Sequence, residues 1–166
     1  INTDLLVEHT HFTNETISAL DLGWKSITSN LSDLISSGCD EVLGVKIGLV
    51  LTPETEWHWV KNLYKGINQA LNKFGGLIIG GDCSRGVEKI IAITAFGTQG
   101  RLILRRYFCS PKEVILTTGI HGLSKLGLDL KQNKISSEIL SNQSQLMQDS
   151  LNAFCRPEPK PQILKQ

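Results

Sequence analysis

The chain has 166 residues, 40% of them hydrophobic and 20% charged, which suits one globular domain able to bury a core. A net charge of +1 gives no global reason for nucleic-acid or membrane binding, and no apolar run reaches the length that spans a bilayer. Cys39, Cys83, Cys109 and Cys155 form no CxxC pair and no zinc-like spacing, so they read as reduced thiols of a cytoplasmic protein.

In chain order, residues 1–8 are β-rich and predict a strand, followed by a polar loop. A helix is expected from Ser18 to Ser37, with Ser18 as N-cap, Gly38 as stop, and Trp24, Ile27, Leu31, Leu34 and Ile35 as its apolar stripe. Residues 41–51 form a strongly apolar strand. Thr52-Pro53 then opens a second helix, whose stripe of Trp57, Val60, Tyr64, Ile67, Leu71 and Phe74 ends at Gly75-Gly76. Strands are expected at 77–82, running into a glycine turn, and at 89–98 and 113–118. Helical pattern returns at 122–130 and 136–154, and the proline-rich 155–166 reads as a linker. The mixture lacks strict βαβ regularity and favours an α+β class: a mixed or antiparallel sheet with helices packed on one face.

Charge is unevenly spread. Residues 1–40 hold six acids against Lys25, whereas 85–112 hold six bases against Glu88. Two readings stand: solvated faces, or an acidic metal-binding end facing a basic phosphate-binding end. The polar face of the first helix carries Ser26, Ser29, Asn30, Asp33 and Ser37, small side chains that let a ligand or another backbone come close. Asp82 follows Gly80-Gly81 at a strand end, either a plain turn or a place where backbone amides meet phosphate oxygens. Asp4 lies within a strand, where Asp is depleted, and is either a solvent-facing residue or a hard oxygen ligand. Among the histidines, His11 is preferred as a substrate contact; His9, His58 and His121 receive no role. No Walker A and no GxGxxG motif is present, which excludes an ordinary P-loop kinase on this segment.

In order, TDLLVEHTHF (3–12), LGWKSITSNLSDLISSGC (22–39), IIGGDCSRG (78–86), LILRR (102–106), LTTGIHGLSKLGL (116–128) and CRPEPKP (155–161) resemble the thiamine-monophosphate kinase family, within the aminoimidazole ribonucleotide synthetase-like superfamily. The resemblance implies ATP-dependent phosphorylation of thiamine monophosphate to thiamine diphosphate, assisted by Mg²⁺. It also implies Thr3, Asp4, Asp33 and Asp82 as metal ligands, Gly81, Asp82 and Arg106 as nucleotide contacts, and His11 as a substrate contact. Such chemistry needs positioning and charge neutralisation, so no covalent phospho-enzyme is expected.

Departures from the family pattern are Asn2 for its serine or threonine, Cys83-Ser84 for its paired threonines, and Leu123 at a usually acidic position. The family's upstream Gly-Asp-Asp segment is expected before Ile1, and a second domain bearing Ser-Asp-Gly after Gln166. Residues 1–154 would then be the ATP- and metal-binding domain and 155–166 the linker, and this segment alone would be inactive. The resemblance further implies a homodimer whose sheets pair into a barrel, with strand 41–51 as a candidate for that sheet. Two other readings remain: a different ATP-dependent synthetase or maturation enzyme of the superfamily, and a non-catalytic, dimerising nucleotide-binding fragment.

Overall fold

The computed structural model describes residues 1–160 except 102, 106, 108, 116, 118 and 137–141. Strand β1 spans Asn2–Val7. Helix α1 (Ala19–Ser36) begins behind Ser18, whose Oγ accepts from the Asp21 amide at 3.1 Å and satisfies one orphan donor of the first turn. It stops at Gly38, whose φ of +87° is open to glycine at little cost. Strand β2 (Cys39–Leu51), helix α2 (Trp57–Phe74), strand β3 (Leu77–Arg85), strand β4 (Ile90–Gln99), helix α3 (Leu123–Lys131) and helix α4 (Ser144–Cys155) follow.

Three expectations change. Helix α2 does not open at Pro53. Thr55 donates its amide to the Thr52 carbonyl at 3.1 Å, and its Oγ1 accepts from the Thr52 amide at 3.2 Å, which ties Pro53 and Glu54 into a separate turn. The helix therefore starts four residues later, and Trp57, at its first turn, stays 68% exposed instead of joining the core stripe. Residues 113–115 carry no strand, and Leu116 and Thr118 lie outside the described residues. The expected turn at Gly80-Gly81-Asp82 is absent too: β3 continues through it to Arg85.

The sheet order is β1-β4-β2-β3. Strands β2 and β3 are parallel, joined across α2, while β1 with β4 and β4 with β2 are antiparallel. Helices α1 and α2 cover one face. There Val45, Ile47 and Leu49 of β2 and Ile91, Ile93 and Ala95 of β4 meet Ile27, Leu31, Leu63 and Ile67 in one core. The two helices cross where each offers a glycine. A Cβ on Gly23 would stand 2.0 Å from the Leu63 carbonyl oxygen, and one on Gly66 would stand 1.8 Å from that of Leu20. Helices α3 and α4 pair, and Phe154 of α4 enters the core under the Lys25 ammonium, 3.9 Å from its ring centroid. Beyond α4, the Arg156 guanidinium stacks 4.4 Å from the Trp24 ring, and the Trp24 indole donates to the Pro157 carbonyl at 2.9 Å.

The other sheet face carries Thr3, Leu5, Lys46, Gly48, Thr94 and Asp82, by alternation along the paired strands. On this face Leu5 is 51% exposed and Lys46 of β2 is exposed too, so among the described residues no element of this chain covers it.

Candidate functional site

Asp4 and Asp33 lie on the helix-covered side at the β1 edge. Strand alternation puts Asp4 on the same face as Asn2. The Asn2 amide donates to Asn30 Oδ1 and to Asp33 Oδ2, each at 3.1 Å. Asn30 is 1% exposed and donates to the Ser26 carbonyl at 3.1 Å. The small polar face of α1 is thus mostly a buried seam against the sheet, and only its end, at Asp33, opens to solvent. Asp33, Asn2, Ser36, Ser37, Leu104 and Arg105 line a cleft of about 300 Å³, so one arginine of the basic stretch stands across from one carboxylate of the acidic stretch.

Gly81 and Asp82 occupy the opposite edge. Across the sheet, Asp4 pairs with Ile93, Ile93 with Ile47, and Ile47 with Gly81; the next row runs from Leu5 through Ala92 and Gly48 to Asp82. The motifs therefore share rows but sit three strand spacings apart, roughly 14 Å. Asp82 also faces the other way, towards the uncovered side, where Ser84 donates to its Oδ2 at 3.5 Å. Thr3 shares that outer side and reaches Thr94 Oγ1 at 3.0 Å. A bulge sets this arrangement: Ile78 pairs with Val45 and Gly80 with Lys46, leaving Ile79 as the extra residue. Gly81 has a packing reason of its own, since a Cβ there would stand 2.0 Å from the Ile47 carbonyl oxygen.

Sequence order suggested one cluster of carboxylates; the chain does not bring them together. Among the described residues no group of three or more His, Cys, Asp or Glu side chains converges on a metal position. The oxygens at each edge are hard donors of the kind Mg²⁺ accepts, but each edge alone offers a partial set. His11 is exposed on the turn after β1, and its Nδ1 accepts from the Val7 amide at 3.1 Å. His58 pairs with Asn62 at 2.8 Å and His121 with Thr117. Arg106 lies outside the described residues.

Residues 1–99, which hold β1 to β4 with α1 and α2, match the AIR synthase related protein family, N-terminal domain. The chain belongs to that family. Thiamine-monophosphate kinase of Prochlorococcus marinus is 44% identical over 159 residues, covering 96% of this chain and 48% of that protein. Thiamine-monophosphate kinase of Stenotrophomonas maltophilia superposes with a TM-score of 0.79 at 28% identity, over 98% of this chain and 51% of that one. Thiamine monophosphate kinase of Aquifex aeolicus superposes with a TM-score of 0.83 at 23% identity, over 99% and 53%, a likeness of fold. The chain spans about half the length of the curated relatives it matches.

Within this AIR synthase related domain, the departures acquire places. Asn2 replaces a hydroxyl with an amide that ties β1 to α1. Cys83 points under α2, where it lines an apolar groove with Leu49, Tyr64 and Val60, on the face opposite Asp82. Leu123 is the first residue of α3. Glu8 and Lys89, to which the sequence assigned no role, form a buried ion pair at the end of β1. Burial alone would push the Glu8 carboxyl up, but the hydrogen bonds and charge of Lys89 outweigh it and hold the group below its ordinary 4.5.

Proposed function

We propose that this AIR synthase related domain is the metal- and nucleotide-binding part of a thiamine-monophosphate kinase, which moves the γ-phosphoryl group of ATP onto thiamine monophosphate. The observation that carries this reading is the 44% identity to a thiamine-monophosphate kinase along 96% of the chain. In this reading Thr3, Asp4, Asp33 and Asp82 hold Mg²⁺, Gly81, Asp82 and Arg106 contact the nucleotide, and His11 contacts the acceptor. Bound Mg²⁺ would neutralise phosphate charge. The chain's own groups orient the reactants, and Arg106 can fork two phosphate oxygens.

The split of the carboxylates favours a homodimer. Asp82 and Thr3 look out from the uncovered sheet face, and Leu5 and Leu77 on that face are 51% and 70% exposed. All nine residues of edge strand β3 are exposed, an arrangement that proteins usually cover. Two sheets meeting through these faces would bring Asp82 of one copy towards the β1 edge of the other. Cys39, Cys83 and Cys155 as free thiols, with no helix among the described residues long and apolar enough to cross a membrane, accord with a cytoplasmic setting. Domain limits of 1–154 with a linker at 155–166 belong to the same reading.

Calorimetry with Mg–ADP tests the site. Binding is expected with Mg²⁺ present, and to be lost both in Asp82→Ala and on chelation. Loss in Asp82→Ala with indifference to Mg²⁺ would contradict metal bridging.

A further inference from the structure

Glu8 and Lys89 are 6% and 8% exposed. A lone ion pair taken out of water loses more in hydration than it regains unless further bonds complete it, so its retention calls for a reason other than stability. Here it is completed. The Lys89 amide donates to Glu8 Oε2 at 3.0 Å, the Glu8 amide donates to the Lys89 carbonyl at 2.9 Å, and the Lys89 ammonium donates to Glu8 Oε1. The ammonium also stands 5.5 Å from the centroid of the Trp59 ring. Trp59 in turn donates from its indole to Asn14 Oδ1 at 3.2 Å, which pins the far side of the same loop to α2.

This knot lies where β1 ends and the chain reverses. The next residue, His9, takes a φ of +63°, a costly conformation away from glycine, and donates its amide to the Phe12 carbonyl at 2.8 Å. Phe12 is itself 4% exposed, inside the core. Between these two anchors the His11 amide donates to the Val7 carbonyl at 2.8 Å, and the Val7 amide donates to His11 Nδ1. A ring nitrogen that accepts carries no proton, so the proton of the neutral imidazole sits on Nε2, on the solvent side of the turn.

We infer that the Glu8–Lys89 pair is a positioning device for His11: it clamps the turn so that the imidazole presents a fixed Nε2–H donor to an oxygen of the acceptor substrate. The ligand named here rests on the thiamine-monophosphate reading, while the clamp rests on the geometry alone. Glu8 and Lys89 touch no substrate. They act through the backbone of residues 8–12, with Trp59 holding the ammonium.

Ring ¹⁵N spectra of His11, read beside thiamine monophosphate and Mg–ADP affinities, test this on the intact chain. The unaltered protein is expected to show the single Nε2–H tautomer. Glu8→Gln is expected to give a tautomer mixture and to weaken thiamine monophosphate binding about tenfold, the loss of one well-placed hydrogen bond, with Mg–ADP binding unchanged. Lys89→Arg alone, which keeps the ion pair, is expected to leave both as in the unaltered protein. Unchanged ring signals and affinity in folded Glu8→Gln overturn the clamp, and so does an equal loss of both ligands, which marks general loosening. Should Glu8→Gln fail to fold, Trp59→Leu leaves both charges in place and is expected to move the ring signals the same way; unmoved signals overturn the proposal. Absence of thiamine monophosphate binding in the unaltered chain would overturn the ligand assignment and the functional reading together, with the ring spectra still deciding the clamp.

Discussion

At the β1 edge of the sheet, Asp33 is already engaged: Asn2 joins it to a buried Asn30, and Arg105 lines the cleft beside it. At the β3 edge, among the described residues, Asp82 meets only Ser84, at 3.5 Å, and the strand that carries it is exposed along its whole length. One edge is finished by its own chain, with side chains in the core holding the polar ones in place. The other is paired to β2 along its backbone but exposed in every side chain. Residues at a finished edge should therefore matter to folding, and residues at a bare edge to association and binding.

The largest expected effect comes from breaking the finished edge at its root. Lys89→Met leaves the Glu8 carboxylate buried without its charged partner, which should cost about 3–5 kcal/mol in denaturant unfolding. The pH profile has a definite sign. The folded-state carboxyl of Glu8 lies below its ordinary 4.5, so its contribution is full above that value and disappears as pH falls through the folded pKa. In Lys89→Met the ammonium's hydrogen bond and charge are gone while burial and the backbone amide bond of residue 89 remain, so the carboxyl rises and the acid slope should flatten.

Next, Gly81→Ala should cost up to about 3 kcal/mol, because its Cβ meets the Ile47 carbonyl oxygen, although the position is fully on the surface strand. Asn30→Ala should cost about 1–2 kcal/mol by leaving the Asn2 amide and the Ser26 carbonyl short of partners. The smallest effect on folding is expected for Leu77→Lys, within about 0.5 kcal/mol, yet sedimentation should shift from dimer to monomer. A Leu77→Lys protein that unfolds early but still dimerises would erase the distinction between the edges.

Much of this was legible beforehand. Ser18 and Gly38 bracket α1 because capping chemistry is local, and Trp24, Ile27, Leu31 and Leu34 are buried because helical period is local too. The Thr52–Thr55 turn escaped because a side-chain hydroxyl captured the backbone that proline was expected to lead into a helix. Asp4, Asp33 and Asp82 are where the motifs put them in the chain, yet two lie on one side and edge of the sheet and the third on the other. Strand order, which no local pattern encodes, decided that. The Glu8–Lys89 pair stayed hidden for a similar reason, since its partners stand 81 residues apart and meet only when β1 pairs with β4.

The extra residue at Ile79 has a consequence for counting. Alternation in an unbroken ladder from Leu77 would assign Asp82 to the side of Ile78, underneath α2, and turn Cys83 outwards. The irregularity reverses odd and even for everything after it. The carboxylate is thereby turned to the uncovered face of the sheet, and the Cys83 thiol, itself exposed, to the groove beside α2. Parity along five residues, fixed by one that pairs with nothing, thus decides which functional group each face of the sheet presents.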